Sequence, residues 1–374
     1  MNDDSGSVID RNVHGFRRWD GFDLLKGVSC LAVVLIHYNF KGVFGEEVKA
    51  ACRFAVPAFL MISGYFLHSY DGGDVRTDVI MRKVLKLTRL LVVSTLSYGI
   101  LMWLITPSSA FLGKYLSAAA LAKFALTNDG LFNAGLWFIG ALIYCYFLVA
   151  MLCRRETALR WMLLLAIPTL AMMSVTQEFA SVIGFKWNFL TLIGAEPRAV
   201  VCLHALFLFR ALPFLLIGSW LRWRAPEIRR MMLPSWMLWT VVVLGSAMSV
   251  AEYHFLGNRL AQFYVGSYIT TLALMLLAVR TSVCTGRIGR CLVWVGSELS
   301  MLVYLTHVGV GKVLDMVAGS CHWWGNRIYD LSRWLIVMAG SIAVSLALRY
   351  VIMMVKRKFM VYPKCGASEG VFNA

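Results

Sequence analysis

Charge is scarce in this chain. Only 15% of its 374 residues are charged, and the acidic ones number 20. A soluble globular domain carries about 25% charged residues and is ~45–50% apolar. Here 59% of residues are hydrophobic and the mean hydropathy is +0.70. A water-soluble fold cannot hide that much apolar surface, whereas a lipid solvent removes the problem. Other signals are missing too. The nine cysteines show no CxxC pair and no paired Cys/His spacing. Neither a zinc site nor a disulfide framework is therefore expected. Cys30, Cys145, Cys153, Cys202 and Cys291 lie inside or next to apolar runs and read as small polarisable filler. No internal repeat, low-complexity segment or second soluble domain is visible. The first 21 residues are polar and basic, without an apolar core before a small-residue site. We expect no cleavable signal peptide there.

What is present is a series of long apolar runs. A membrane span needs about 20 apolar residues. Ten candidates run near 22–41, 50–70, 85–106, 131–152, 160–177, 200–221, 233–251, 261–280, 291–313 and 331–354. The expected fold is an all-α integral membrane protein with about ten transmembrane helices. Residues 1–21 would form an N-terminal segment, 22–354 the membrane domain and 355–374 a tail.

The net charge is +16. In a soluble protein this would suggest nucleic acid. Here the bases fall in short clusters between apolar runs, so topology explains them and no nucleic-acid partner is expected. One side carries Arg11, Arg17, Arg18, then Arg76, Arg82, Lys83, Lys86 and Arg89, then Arg154, Arg155 and Arg160. It continues through Arg222, Arg224, Arg229, Arg230, Arg280, Arg287 and Arg290 to Lys356, Arg357, Lys358 and Lys364. The alternate loops hold only scattered bases such as Lys49, Lys114, Lys123, Lys186, Arg198, Arg259 and Arg327. The asymmetry places both termini in the cytoplasm of a cell (inner) membrane. Two loops on the opposite side are long. The stretch 107–130, with Phe111, Leu112, Tyr115, Leu116, Leu121 and Phe124, has the composition of an interfacial amphipathic helix. The stretch 178–199 holds Trp187, Asn188, Glu196 and Arg198. Each is either a cover for an outward-facing site or a plain connector.

Ionisable groups at membrane depth are costly and mark functional positions. Span one holds Asp23, Lys26 and His37. Asp23 and Lys26 are three apart and can pair on one helical face. His37 lies eleven residues beyond Lys26, on the same face and about 16 Å along the axis. Lys26 also reads as a snorkelling anchor, and His37 as a packed histidine bonded to a neighbouring helix. Arg210 sits near the middle of span six, where it suits an anion or a buried carboxylate; a purely structural ion pair is the competing reading. Pro213 beside it breaks the helical hydrogen bonding. Span nine carries Glu298 near its cytoplasmic end and His307 further out, at nearly the depth of His37 by counting. In span two, Ser63 and Gly64 permit close helix approach, with Tyr65 next to them and His68 at the inner end. Trp137 opens span four and also reads as an interfacial tryptophan. Arg82, Lys86 and Arg89 recur at helical spacing as one basic stripe. Positive-inside anchoring and a seat for a phosphorylated donor both account for it.

These pieces, in order, resemble the acyltransferase-3 family of bacterial membrane acyltransferases. DGFDLLKGVSCLAVVLIH resembles the family's first span, placing Lys26 and His37 on its basic and histidine positions. AVPAFLMISGYFL resembles the second span, with Ser63, Gly64 and Tyr65. Lys86 and Arg89 resemble the cytoplasmic basic pair. LWFIGALIYCY around Trp137, FRALPFLLIG around Arg210 and SELSMLVYLTH ending at His307 resemble later landmarks. The usual residue at position 26 is arginine, and here it is lysine; the same holds at position 86. The resemblance implies O-acyl transfer from cytoplasmic acyl-CoA, usually acetyl-CoA. The acceptor it implies is a hydroxyl of a cell-surface glycan or of a lipid-linked sugar precursor. It implies no bound cofactor or metal, and membrane lipid as surroundings. His37, Asp23 and Lys26 would be catalytic, and Arg82, Lys86 and Arg89 would bind acyl-CoA. Ser63, Tyr65, Trp137, Arg210, Glu298 and His307 would contact substrate or the oxyanion. The alternative function is a transporter or flippase for an anionic solute or lipid-linked sugar, with Arg210 and Glu298 in a midplane site.

Overall fold

The computed structural model describes residues 19–40, 44–67, 77–107, 113, 115–128, 130–152, 156–174, 207–257, 261–281 and 286–360. The 178–199 loop, His68, and the termini on either side of the described range lie outside these residues. Among them every regular element is a helix. In chain order they are α1 (Asp20–His37), α2 (Gly45–Ala51), α3 (Ala55–Tyr65), α4 (Thr77–Ile105) and α5 (Ala118–Thr127). Next come α6 (Trp137–Leu152), α7 (Glu156–Met173), α8 (Phe207–Arg210), α9 (Leu212–Trp223) and α10 (Ala225–Arg230). The last are α11 (Ser235–Phe255), α12 (Val265–Arg280), α13 (Arg287–Trp294), α14 (Ser300–Ser320) and α15 (Arg327–Met360). A π turn, Val295–Leu299, joins α13 to α14.

Each predicted span coincides with helix, in whole or in part. Among the described residues, five helical stretches are long and apolar enough to cross a membrane: Thr77–Ile105, Ala134–Leu152, Ser235–Phe255, Arg287–Ser320 and Arg327–Val355. The other predicted spans fall on shorter or interrupted helices, with Leu163–Met173 and Val265–Arg280 as short apolar stretches. Length and apolarity thus establish a multi-span membrane protein, and the figure of ten remains an expectation. Pro168 lies inside α7. The interruption predicted in span six falls at Ala211, between α8 and α9, with Pro213 in the first turn of α9 where a missing N–H costs nothing. The stretch 107–130 holds the helix α5, capped by Ser117 and ended by Asn128 in the left-handed region at φ 60°.

Polar groups at helix ends are satisfied locally. Asp20 and Asp23 occupy the first turn of α1, where the helix dipole favours acids. The start of α12 is capped from a neighbouring helix. Buried Glu252 of α11 accepts from the N–H of Val265 at 2.8 Å and of Gly266 at 2.9 Å.

Packing is backbone on backbone at several crossings. A Cβ on Gly64 of α3 would run into the carbonyl of Leu215 in α9, and one on Gly218 of α9 into the carbonyl of Met61 in α3. The two glycines let the helices touch, as small residues do where lipid supplies no hydrophobic drive. Elsewhere large apolar side chains face outward: Val93, Leu96 and Ile100 on α4 are each more than 60% exposed. Substituting Gly218 by leucine is expected to destabilise the protein by about 3 kcal/mol. Gly286→Ala, where a Cβ meets open space, is expected to change stability by less than about 0.5 kcal/mol. Thermal unfolding of both variants in detergent checks the pair.

Candidate functional site

Helix α1 carries a polar cluster at each end. At its C-terminal end, α14 brings His307 beside His37, with ring centroids 5.2 Å apart and planes at 50°. The depths counted from sequence agreed; the structure adds the contact. His307 is buried at 1% exposure, and its Nδ1 lies 3.1 Å from the carbonyl of Val303. A carbonyl only accepts, so in the neutral ring the hydrogen sits on Nδ1 and Nε2 keeps a lone pair. That Nε2 is buried without a partner. His37 is exposed at the end of α1.

Tyr304, one turn before His307, connects this pair to the other candidates. Its ring lies 6.0 Å from His307 and 5.4 Å from Phe138, and its hydroxyl donates to the carbonyl of Gly135. Two residues beyond Gly135, the Trp137 ring lies 3.5 Å beneath the guanidinium of Arg210. With its amide oxygen turned toward Arg210, Gln262 accepts from Nη2 at 2.8 Å and also from Nε. His37, His307, Trp137 and Arg210 therefore belong to one region. Sequence reasoning missed the tyrosines that build it. The Tyr98 hydroxyl donates to the carbonyl of Leu305 at 2.6 Å and accepts from the N–H of Gly309 at 3.0 Å. The Tyr38 hydroxyl donates to the carbonyl of Val308 at 3.1 Å. Both hold α14 around His307.

At the other end, Lys26 Nζ donates to Asp23 Oδ1 at 2.9 Å and lies 5.8 Å over the Phe66 ring. Tyr65 belongs here and not with the histidines. It is fully buried, 4.4 Å from the Phe22 ring and 6.3 Å from that of Trp19. The reason is direction: α3 runs against α1, so its last residue lies beside the first turns of α1. Ser63 donates to the carbonyl of Phe59 in its own helix at 2.8 Å.

The predicted basic stripe has a different outlook. Arg82, Lys86 and Arg89 share an exposed face of α4, while its buried residues are Ile80, Leu87, Ser94 and Tyr98. At about 100° per residue the stripe points more than a quarter turn away from that buried face. With Leu85, Leu90 and Val93 it lines an open groove of about 450 Å³. The base of α4 that turns inward is Lys83. Its Nζ donates to the carbonyl of Phe66 at 2.5 Å and lies 5.7 Å over the Tyr146 ring.

Glu298 lies in the π turn and pairs with Arg349 at 2.7 Å. The neighbouring Gly296 packs on Asp23 and Gly27, near the start of α1. Arg210 lies over Trp137, near the level of Tyr304. The structure thus does not gather Glu298 and Arg210 into the shared midplane site that a transporter reading needs.

The geometry is that of a helix bundle with two polar ends joined by one histidine-bearing helix. The model of the acyltransferase domain of the Acyl_transf_3 family matches residues 19–350, nearly the whole chain. The chain belongs to the acyltransferase-3 family. Membership makes it a membrane acyltransferase in general terms. No curated protein and no solved structure matches the chain.

The stacking of Arg210 on Trp137 is expected to couple the two side chains by about 1–2 kcal/mol. A double-mutant cycle of Trp137→Leu and Arg210→Gln, read by unfolding in detergent, measures it.

Proposed function

We propose that this acyltransferase-3 member moves an acyl group, usually acetyl, from cytoplasmic acyl-CoA to a hydroxyl of a cell-surface glycan or its lipid-linked precursor. The observation that carries the reading is the exposed His37 ring beside buried His307, at the opposite end of α1 from the Lys26–Asp23 pair. In this reading the protein sits in the cell (inner) membrane with ten spans and both termini in the cytoplasm. Lys26 and Asp23 then line the donor side, and the histidines face the acceptor.

The chemistry follows from the groups present. His37 takes the proton of the acceptor hydroxyl. The hydroxyl oxygen attacks the thioester carbonyl, the C–S bond breaks, and the proton passes to the departing CoA thiolate. Arg210 suits the developing oxyanion, because a guanidinium stacked on Trp137 is held with its donors in place. His307 does not suit it in the neutral ring, since its one N–H is directed to Val303. The Arg82/Lys86/Arg89 stripe gathers the anionic donor at the inner face by long-range attraction.

In liposomes with radiolabelled acetyl-CoA and a crude cell-envelope glycan fraction, wild type is expected to move label into glycan. His37→Ala should lower that transfer about 100-fold or more at unchanged expression; normal activity in the variant would end the reading. Raising ionic strength from about 0.05 to 0.5 M should raise the KM for acetyl-CoA. In Arg82→Gln/Lys86→Gln/Arg89→Gln the KM should start high and respond less to salt.

A further inference from the structure

We propose that Arg222 and Arg229, with Lys26 and Lys83 beside them, form a phosphate-binding seat at the Lys26 end of α1, and that it takes the phosphates of the acyl-CoA donor. The ligand identity rests on the acyl-CoA reading above; the seat adds Arg222, Arg229 and Lys83, which that reading does not use.

Four helices converge there. Arg222, from α9, lies 5.6 Å from the Trp19 ring and 5.3 Å from the Tyr65 ring. Arg229, from α10, lies 4.4 Å over Trp19 and directs its Nε to the carbonyl of Val279 at 3.4 Å. Lys26 of α1 and Lys83 of α4 both reach Phe66, one over its ring and one to its carbonyl. Phe66 in turn packs on Phe22 and Tyr65, at 5.2 and 5.3 Å between ring centroids. Four cations thus meet around one aromatic cluster. Among the described residues, the acids near this end include Asp23, held by Lys26, Asp20 at the helix start, Glu227, paired with Arg224, and Glu298, paired with Arg349.

Two buried donors at this end lack partners. The Tyr65 hydroxyl has none although the residue is fully buried, and neither has Nη1 of Arg280, the residue after the carbonyl that Arg229 holds. A buried polar group left unpaired is costly, and a bound ligand is one way to supply the missing bond. An oxygen-rich anion is an acceptor for either donor. Guanidinium groups held on aromatic faces keep their forked donors oriented, which suits the bidentate geometry of phosphate. The α4 stripe is exposed on its own helix face and no aromatic ring supports it in the contacts above, so it attracts the donor and the inner seat holds it.

The test is calorimetric titration of CoA into the full-length protein in neutral detergent. Wild type is expected to bind. Arg222→Gln/Arg229→Gln should bind about 100-fold more weakly, two charge-assisted contacts having been lost. Arg287→Gln/Arg290→Gln removes the same charge from an exposed helix end and should bind within about twofold of wild type. Tyr65→Phe keeps the packing, removes only the unpartnered hydroxyl, and should weaken CoA severalfold while thermal stability of the ligand-free protein holds or rises. Repeating the titration in phosphatidylcholine nanodiscs, with and without phosphatidylglycerol, separates a donor phosphate from a lipid headgroup. Unchanged CoA affinity in both supports the donor. Loss of CoA binding caused by phosphatidylglycerol would reassign the seat to lipid and overturn the proposal. Equal CoA affinity in wild type and the arginine double variant would overturn it while leaving the acyl-CoA reading intact. A wild type that binds no CoA would overturn both.

Discussion

Direct contact between backbones around α1 is the constraint on which both polar clusters depend. Side chains are absent where that helix is crossed: Gly21 faces the backbone of Ala278 and Thr281, Gly27 faces Leu292, and Gly296 faces Asp23. In lipid, helices gain nothing by hiding apolar surface from one another, so association relies on close fit. A close fit leaves little freedom to rotate or slide. The directions of Asp23, Lys26 and His37 are therefore set by glycines rather than by the polar residues themselves. The same tolerance forces buried polar groups to find partners within the bundle, which explains the many tyrosine-to-carbonyl bonds around α14.

The two ends of α1 then differ in kind. The histidine end is a hydrogen-bonded arrangement of aromatic residues with one stacked guanidinium. The lysine end is an assembly of cations on aromatic faces. In the proposed reaction this division serves two tasks, because holding a charged carrier and activating a hydroxyl place opposite demands on local charge. A single helix of 18 residues fixes the separation between them.

Much of the frame was legible in the sequence because bilayer thickness dictates helix length and positive-inside placement marks helix ends. The pairing of Asp23 with Lys26 followed from three-residue spacing, and the common depth of His37 and His307 from counting. What stayed hidden depends on which face of a helix meets which neighbour. Lys83 and Lys86 carry the same signal in sequence, yet one points into the bundle and the other away from it. Tyr38, Tyr98 and Tyr304 read as ordinary aromatics in apolar runs. Tyr65 is expected from its motif to contact substrate or the oxyanion, and antiparallel chain direction sets it beside the first turns of α1. The transporter alternative sets Glu298 and Arg210 in one midplane site, whereas Glu298 pairs with Arg349, far along the chain. Trp19, Arg222 and Arg229 lie far apart in sequence, and nothing in their spacing announces that they meet.

The π turn at Val295–Leu299 carries a consequence for how this helix is timed. A π turn accommodates one residue more than regular α-helix, so the phase of all later side chains advances by about 100°. Trp294 and His307 sit on one continuous rod yet follow two separate angular clocks. The first is locked to the backbone of α1 through Gly296, and the second is set by Tyr98 and Tyr38. Such a rod can be re-aimed at one end by gaining or losing a single residue at the joint, without disturbing the grip at the other. The facing of the two histidines is in this sense a property of chain length at one turn, and sequence change there acts as an adjustment screw for the chemistry two turns away.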